Sequence, residues 1–266
     1  MKFFGKSKSK SNGAKPTVAL CLGGGGARGF AHIGAIRAFE ESGIEFDLCV
    51  GTSVGSILGA LYCAGVSWGD MMRVGEALDM KEVHNGVIFT PNDPSKIGRI
   101  VANVIGDADI ENLPKKFAAV AVDLIEGKQV VLDKGKVSTV CSASCCVPLF
   151  FRPVVYDGKH LVDGGLLNNI PSDVCKMLGA DKVVTVDINS TRGGGTSELG
   201  VIDVLKATFS IMSANSSLMG IRHSDVLVAV DTSPYRSTSK NGYEDMIALG
   251  YEAAKAQIEN IKALFA

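Results

Sequence analysis

The sequence predicts an α/β fold of three layers, with a mostly parallel central sheet between two layers of helices. Three observations carry that prediction. Largely apolar runs at residues 17–22, 46–50, 182–188 and 226–230 read as strands buried on both faces, the pattern of parallel sheets. Segments of helical periodicity lie between them. The first two runs each end in a glycine-rich turn that leads straight into a helix, and the carboxyl ends of adjacent strands are where open α/β sheets place their sites.

The chain holds 266 residues, 46% hydrophobic and 21% charged, with a formal net charge of -1. That is enough for one large core. No repeat or long linker divides it, so residues 17–266 read as a single domain behind a flexible basic tail, residues 1–16. The tail carries Lys2, Lys6, Lys8, Lys10 and Lys15 and no acid, and the remaining 22 basic residues face 28 acidic ones. An acidic body argues against a nucleic-acid partner. Each tail lysine could add about 1 kcal/mol of attraction to an anionic leaflet, although a solvated tail is the plainer reading. The seven cysteines, an odd number set mostly in apolar runs, read as reduced, buried thiols of an intracellular protein. No Cys-x-x-Cys pair with a histidine partner occurs, so no metal is expected. The sequence shows neither a signal-peptide core nor a span-length apolar stretch, and the expected location is cytoplasmic.

In chain order, Gly23-Gly24-Gly25-Gly26-Ala27-Arg28-Gly29 follows the first strand, and residues 30–42 form a helix stopped by Gly43. The second strand turns at Gly51-Thr52-Ser53-Val54-Gly55 into a helix over 57–64. Helices are predicted at 68–80 and 92–104, with an irregular stretch, 81–91, between them. Residues 117–124 and 129–132 read as a strand pair joined at Glu126-Gly127-Lys128. A small-residue helix over 137–146 ends before Pro148, and strands at 150–156 and 159–161 flank Asp157-Gly158, a hairpin turn. Helix 171–178 precedes the strand at 182–188. Residues 189–200 read as a surface connection, with a lid over the site as the sharper alternative. Helix 201–222 has apolar residues at Val201, Leu205, Met212 and Met219. They suit burial against the sheet or a second subunit, lipid contact being the lesser option because a cationic face is missing. A strand at 226–230 and a helix over 244–264 complete the chain.

Chemistry concentrates at the two glycine turns. Gly51 and Gly55 bracket Ser53 between a strand and a helix, the setting of a nucleophile elbow. The helix that follows aims its first N–H groups and the positive end of its dipole at the serine hydroxyl. Residues 24–29 also fit the Gly-x-Gly-x-x-Gly dinucleotide fingerprint, with Asp47 18 residues beyond Gly29, so a dinucleotide-binding oxidoreductase is a serious rival. Asp47, however, precedes Leu48-Cys49-Val50, and the tip of that strand is taken by Ser53. The other use of the loop is an oxyanion hole, with bare backbone amides and the charge of Arg28 beside them.

A serine nucleophile needs a base. His223 precedes the last strand and falls at the opposite rim, His160 lies in a strand and His84 in a loop. His32, on the first turns of the helix after the glycine loop, stays a candidate. Asp163, which leaves a short strand into Gly164-Gly165, can take the proton directly under two conditions. Burial must raise its pKa from about 3.9, and its carboxylate must come within about 3 Å of the hydroxyl. A turn aspartate bonded to its own backbone is the structural alternative.

Together, Gly24-Gly25-Gly26-Ala27-Arg28-Gly29, Gly51-Thr52-Ser53-Val54-Gly55 and Asp163-Gly164-Gly165 resemble the motifs of the patatin-like phospholipases, in particular their small bacterial members. A fourth block, Ala143-Ser144 followed by Pro148 and Phe150, is similar too. The resemblance covers about residues 17 to 190. It implies a patatin-like fold with the serine elbow after the second strand and a Ser53–Asp163 dyad without histidine. It further implies an oxyanion hole of Gly24, Gly25, Gly26 and Arg28, the motif glycines being Gly29, Gly51, Gly55, Gly164 and Gly165. Neither metal nor other cofactor is implied. The expected function is hydrolysis of a lipid acyl ester through an acyl-enzyme, as in a phospholipase A, a lysophospholipase or a carboxylesterase. The partner is then a lipid substrate, with peripheral membrane contact as an option and no oligomeric state implied. A non-catalytic relative that binds lipid or protein stays open beside it.

Overall fold

The computed structural model describes residues 15–77, 92–189 and 200–266. Nearly all of the basic tail, the stretch 81–91 with His84, and the body of the 189–200 segment read as a lid lie outside these residues.

One eight-stranded sheet organises the molecule. Its strands are β1 (Val18–Leu22), β2 (Leu48–Thr52), β3 (Lys116–Asp123), β4 (Lys128–Leu132), β5 (Val154–Tyr156), β6 (Lys159–Asp163), β7 (Lys182–Asp187) and β8 (Val226–Ala229). Their order is β5-β6-β3-β2-β1-β7-β8, with β4 paired to β3. The run from β3 through β8 is parallel, while β4 and β6 run antiparallel to β3 and β5 antiparallel to β6. This is the predicted mixed α/β sheet, parallel at its centre. In β1 the period-2 rule is visible: Val18, Leu20 and Leu22 enter one core cluster, and Ala19 and Cys21 enter the other.

The register at β3 decides where the functional residues meet. β4 covers one edge of β3 from Ala119 to Asp123. The opposite edge is shared, with β2 occupying Lys116 to Val120 and β6 occupying Ala121 to Asp123. Because β2 runs parallel to β3 and β6 antiparallel, their carboxyl ends approach head on. Thr52 stands opposite Val120, and Asp163 stands opposite the next residue, Ala121.

The helices are α1 (Phe30–Glu41), α2 (Val54–Cys63), α3 (Trp68–Ala77), α4 (Ser95–Ile105), α5 (Val137–Ser144), α6 (Ser172–Met177), α7 (Val201–Ile221), α8 (Tyr243–Lys255) and α9 (Ile258–Lys262). The larger core lies between the sheet and α1, α2 and α8, with Ile36, Phe39, Leu61 and Met246 fully buried. The smaller core holds Ile170, Val174 and Cys175 on the other face. Helices α1 and α8 cross where a Cβ on Gly250 would lie inside contact distance of the Ala31 carbonyl, and one on Gly34 inside that of Ile247.

Three expectations are corrected. The helix over 244–264 is broken at Ala256-Gln257, and the change of direction lets Ile258 and Ile261 reach the core while Phe265 packs on Phe46. The strand at 150–156 begins only at Val154, since Leu149 is in the left-handed region and Pro153 has no N–H for a ladder. In α7, Leu205, Met212 and Met219 are exposed. The inward face is made instead by small residues, Ser213, Ser216, Ser217 and Gly220, packed on residues 165–170. Among the described residues no helix is long and apolar enough to cross a membrane.

The α1–α8 crossing generates a stability prediction. Alanine is favoured over glycine inside a helix by about 1 kcal/mol, yet at position 250 its methyl would meet the Ala31 backbone. Gly250→Ala is expected to destabilise the protein by about 2 kcal/mol. Guanidinium denaturation would show this as a lowered midpoint, and a raised one would mean that the two helices separate at no cost.

Candidate active site

Ser53 sits between the end of β2 and the start of α2 with φ 53° and ψ -127°, a strained backbone for a residue with a Cβ. The surroundings hold it there. Its N–H donates to Ser144 Oγ at 2.9 Å, and that buried hydroxyl donates to the Val120 carbonyl at 2.7 Å. Its carbonyl accepts from Ser56 Oγ at 2.6 Å and from the Ser56 amide at 2.8 Å. A Cβ on Gly55 would press into the Leu22 carbonyl, so this glycine lets α2 start tight against β1.

Asp163 arrives from β6. Its Oδ1 accepts from the Gly165 amide at 2.8 Å, while Oδ2 is buried and has no hydrogen-bond partner among the described residues. Burial raises the carboxyl pKa from 3.8 to about 6, against the opposing pull of the Gly165 amide and the Ser53 hydroxyl. The hydroxyl thus lies near enough to be felt, without a well-aligned bond to Oδ2. The turn-aspartate reading and the base reading therefore describe different oxygens of one carboxylate. Gly164 permits the approach, since a Cβ there would stand 3.1 Å from Thr52 Cγ2 and inside contact distance of the Val120 carbonyl.

The glycine loop flanks Ser53 on the β1 side, where a Cβ on Gly24 would come within 3.2 Å of the Ser53 Cβ. The Gly24 amide is engaged with the Asn169 carbonyl at 3.1 Å. The Gly25 and Gly26 amides donate to no acceptor among the described residues, which makes them the loop's available donors. Arg28 is held away from a purely ionic role: its Nε donates to the Tyr235 carbonyl and its Nη1 to Asn189 Oδ1, both at 2.9 Å. Half-buried, its pKa is lowered by desolvation against the charge of Asp231. Asn189 in turn bonds the Gly24 carbonyl, and the Ala27 amide donates to the Ser237 carbonyl at 2.8 Å.

The other candidates separate cleanly. His32 is buried, and its Nε2 lies 2.7 Å from the Gly23 carbonyl; a carbonyl only accepts, so Nε2 carries the proton and Nδ1 is left bare. Desolvation lowers its pKa to about 4. It fixes the glycine loop and is not placed as the base. His160 lies exposed in β6, and His223 bonds the Met219 carbonyl on the far rim. Asp47 accepts from the Val18 amide at 2.7 Å, at the amino end of β1. A ribose-binding acid belongs at the opposite end of the sheet, and this overturns the dinucleotide reading.

Ser144, Asn169, Asn189 and the 235–237 segment were missed as site residues. Asn189 could have been found, as the second residue past β7 on the carboxyl rim. The 235–237 segment carries no local signal.

Ser53 and Asp163 open into a cavity of about 360 Å³. Its lining combines polar groups, among them Asn169, Asn189, Ser213 and Ser237, with apolar side chains from α1 to α4, from residues 147–151 and from α7.

Comparison with known proteins agrees with this architecture. A family described as patatin-like phospholipase matches residues 20–176. An uncharacterized NTE family protein of Mycobacterium tuberculosis is 35% identical over 192 residues, 68% of this chain and 51% of the relative. Patatin-like phospholipase domain-containing protein 6 of Mus musculus is 35% identical over 188 residues, 65% of this chain and 14% of that protein. This chain thus spans about half the length of the mycobacterial relative it matches and a small part of the mouse one. Among solved structures, VipD from Legionella pneumophila superposes with a TM-score of 0.62 at 15% identity, covering 97% of this chain and 70% of its own. The human GIVD cytosolic phospholipase A2 gives 0.57 at 10% identity, with 94% and 60% covered. At those identities the likeness is one of fold.

The buried carboxylate has a consequence for stability. With a native pKa of about 6 against an ordinary 3.8, Asp163 binds its proton more tightly folded than unfolded. Stability therefore falls as pH rises through this window, and the full cost is present above it. Asp163→Asn keeps an oxygen for the Gly165 amide and removes the charge. It is expected to stabilise the protein at pH 8 by an amount on the order of 3 kcal/mol, with the gain vanishing near pH 4. Denaturant midpoints of both proteins across that range check it, and a gain that does not depend on pH would contradict the assignment.

Proposed function

The chain belongs to the patatin-like phospholipase family, and on that premise we propose that it hydrolyses a lipid acyl ester through an acyl-enzyme on Ser53, with Asp163 as the base. The observation that carries this reading is the unpartnered Asp163 Oδ2 beside the strained Ser53, at the polar end of an apolar cavity.

In the first step Ser53 Oγ attacks the ester carbonyl carbon and its proton passes to Asp163 Oδ2. The carbonyl oxygen becomes an oxyanion that meets the Gly25 and Gly26 amides and the positive end of α2. Collapse breaks the bond to the leaving alkoxide, which takes the proton from Asp163. Water then attacks the acyl-enzyme, giving its proton to the same carboxylate, and the free acid leaves as Ser53 is restored. A carboxylate is a weak base near neutrality, and the raised pKa of Asp163 brings it closer to working pH. Arg28 acts as a positioning residue, tying the glycine loop to Asn189 and Tyr235. The lipid substrate also makes peripheral membrane contact a natural part of the cycle. The alternative of a non-catalytic lipid or protein binder has no observation of its own in its favour.

Labelling with a fluorophosphonate, mapped by mass spectrometry, is the direct test. Adduct is expected on Ser53 and is expected to weaken sharply in Asp163→Asn. A folded protein that takes no adduct would favour the non-catalytic reading. Turnover of a p-nitrophenyl ester is expected to drop at least about a thousandfold in Ser53→Ala. In the wild type kcat/KM should decline as pH falls through about 6, because protonated Asp163 accepts nothing. Ser144→Ala should lower kcat by about tenfold or more at little changed KM, since it releases the Ser53 backbone. An effect on KM alone would argue against that role.

A further inference from the structure

Gly165 forms the floor of a polar notch beside Ser53 and Asp163. A Cβ there would stand 3.0 Å from Asp163 Oδ1, 3.1 Å from Asn169 Oδ1 and 3.2 Å from Ser213 Oγ, its three nearest atoms beyond its chain neighbours. All three side chains line the cavity. Asn169 is 4% exposed, and its other polar atoms are all engaged. Its N–H donates to Ser216 Oγ, and its carbonyl accepts from the Gly24 amide. Its Nδ2 donates to the Gly24 carbonyl and to Ser217 Oγ. The side-chain amide can face only this way, because a carbonyl only accepts and the Ser217 hydroxyl spends its hydrogen on the Ser213 carbonyl. Oδ1 therefore turns to the notch, with no hydrogen-bond partner among the described residues. The Ser213 hydroxyl likewise bonds none of them, and Asp163 Oδ1 keeps one acceptor position beside the one that the Gly165 amide fills. The nucleophile is close by, since a Cβ on Gly24 would lie 2.5 Å from Asn169 Oδ1 and 3.2 Å from Ser53 Cβ.

We propose that this notch holds the water that cleaves the acyl-enzyme, with Asn169 Oδ1 and Ser213 Oγ fixing its position. This rests on the acyl-ester reading above. Two acceptors facing one small space call for a molecule with two hydrogens to give, and the hydroxyl alongside supplies one in return. Water meets that demand with three bonds, the usual number for a buried water. It donates one hydrogen to Asn169 Oδ1 and the other to Asp163, and it accepts from Ser213 Oγ. One lone pair is left, and that pair bonds the acyl carbon. By this stage Asp163 has passed the serine proton to the leaving alcohol and is again a carboxylate. As the water oxygen bonds the carbonyl carbon, one water proton passes to that carboxylate. Collapse breaks the bond to Ser53 Oγ, which takes the same proton, and the acid departs with the other hydrogen. A substrate hydroxyl, with a single hydrogen, would leave one of the two acceptors unsatisfied.

Pre-steady-state kinetics separate acylation from deacylation, and only deacylation uses this water. With p-nitrophenyl butyrate, Ser213→Ala and Asn169→Leu are each expected to slow breakdown of the acyl-enzyme about tenfold or more. The rates of the burst and of fluorophosphonate labelling at Ser53 should stay within about threefold of wild type, since Asn189 also holds the Gly24 carbonyl. The burst of p-nitrophenolate should therefore stand out more sharply in both variants. Hydroxylamine, a stronger nucleophile than water, should restore their turnover by a larger factor than it speeds the wild type. Labelling slowed as much as turnover, or no such rescue, would overturn the proposal, since the two residues would then serve the nucleophile or the glycine loop. Ser213→Ala decides alone if Asn169→Leu does not fold. A crystal structure of the Ser53→Ala protein, at a resolution that shows ordered water, reads the notch without turnover. A water bonded to Asn169 Oδ1, Asp163 and Ser213 Oγ is expected there, and its absence would equally overturn the proposal. That water in a protein whose wild type takes no fluorophosphonate would uphold the water site and count against the hydrolase reading alone.

Discussion

The shared edge of β3 is the constraint on which the rest depends. Two strands running in opposite directions meet on it, and the meeting point falls between Val120 and Ala121. Whatever follows Thr52 must then stand beside whatever ends β6. A serine and an aspartate 110 positions apart are neighbours because of backbone register, before any side-chain contact is counted. A slip of one residue in either strand would turn its side chains to the other face, and Asp163 would leave Ser53.

That placement carries a cost which the surrounding polar groups offset. The left-handed Ser53 is a conformation worth of order 1–3 kcal/mol, and Asp163 is a charge in a nearly dry position. Around them stands a ring of small hydroxyls and amides, with Ser144 and Ser56 on the Ser53 backbone and Asn169, Ser216 and Ser217 behind the glycine loop. Among the described residues these contacts leave one Asp163 carboxylate oxygen and the Gly25 and Gly26 amides beside Ser53 without a partner. His32 belongs to the same ring. A buried imidazole with a depressed pKa is a fixed donor, suited to holding the Gly23 carbonyl at any pH the fold tolerates.

Much of this was legible in the sequence, and the limits have physical causes. Strands buried on both faces read as largely apolar runs, so the parallel centre of the sheet was plain. The strand-turn-helix setting of Ser53 and of the glycine loop was equally legible, because its steric demands act between near neighbours in the chain, while the use of the loop was left between two readings. Long-range polar partners were not. Arg28 gives no hint that its acceptors are Tyr235 and Asn189, and Gly24 gives none that its amide is already engaged. Helix α7 misled for an instructive reason. Apolar spacing marks the buried face of a helix that packs on a core, but this helix packs on a polar site, so its serines turn inward and its methionines outward. Asp47 misled in the same way, since a spacing that suits a ribose acid says nothing about which rim the carboxylate occupies.

The pairing of β1 with β7 also bears on how the chain reaches its fold. β1 emerges early, gains β2 on one edge within about thirty residues, and must wait for Lys182 to meet Val18 on the other. Until then β1, apolar at every position, presents an open edge to its surroundings, the kind of surface that recruits unwanted strands. The molecule is closed from the middle by one of its later pieces. Folding therefore has the slow, non-local character of high contact order. In a growing chain, the sheet on which Ser53 and Asp163 meet is completed only after residues that touch neither of them have emerged.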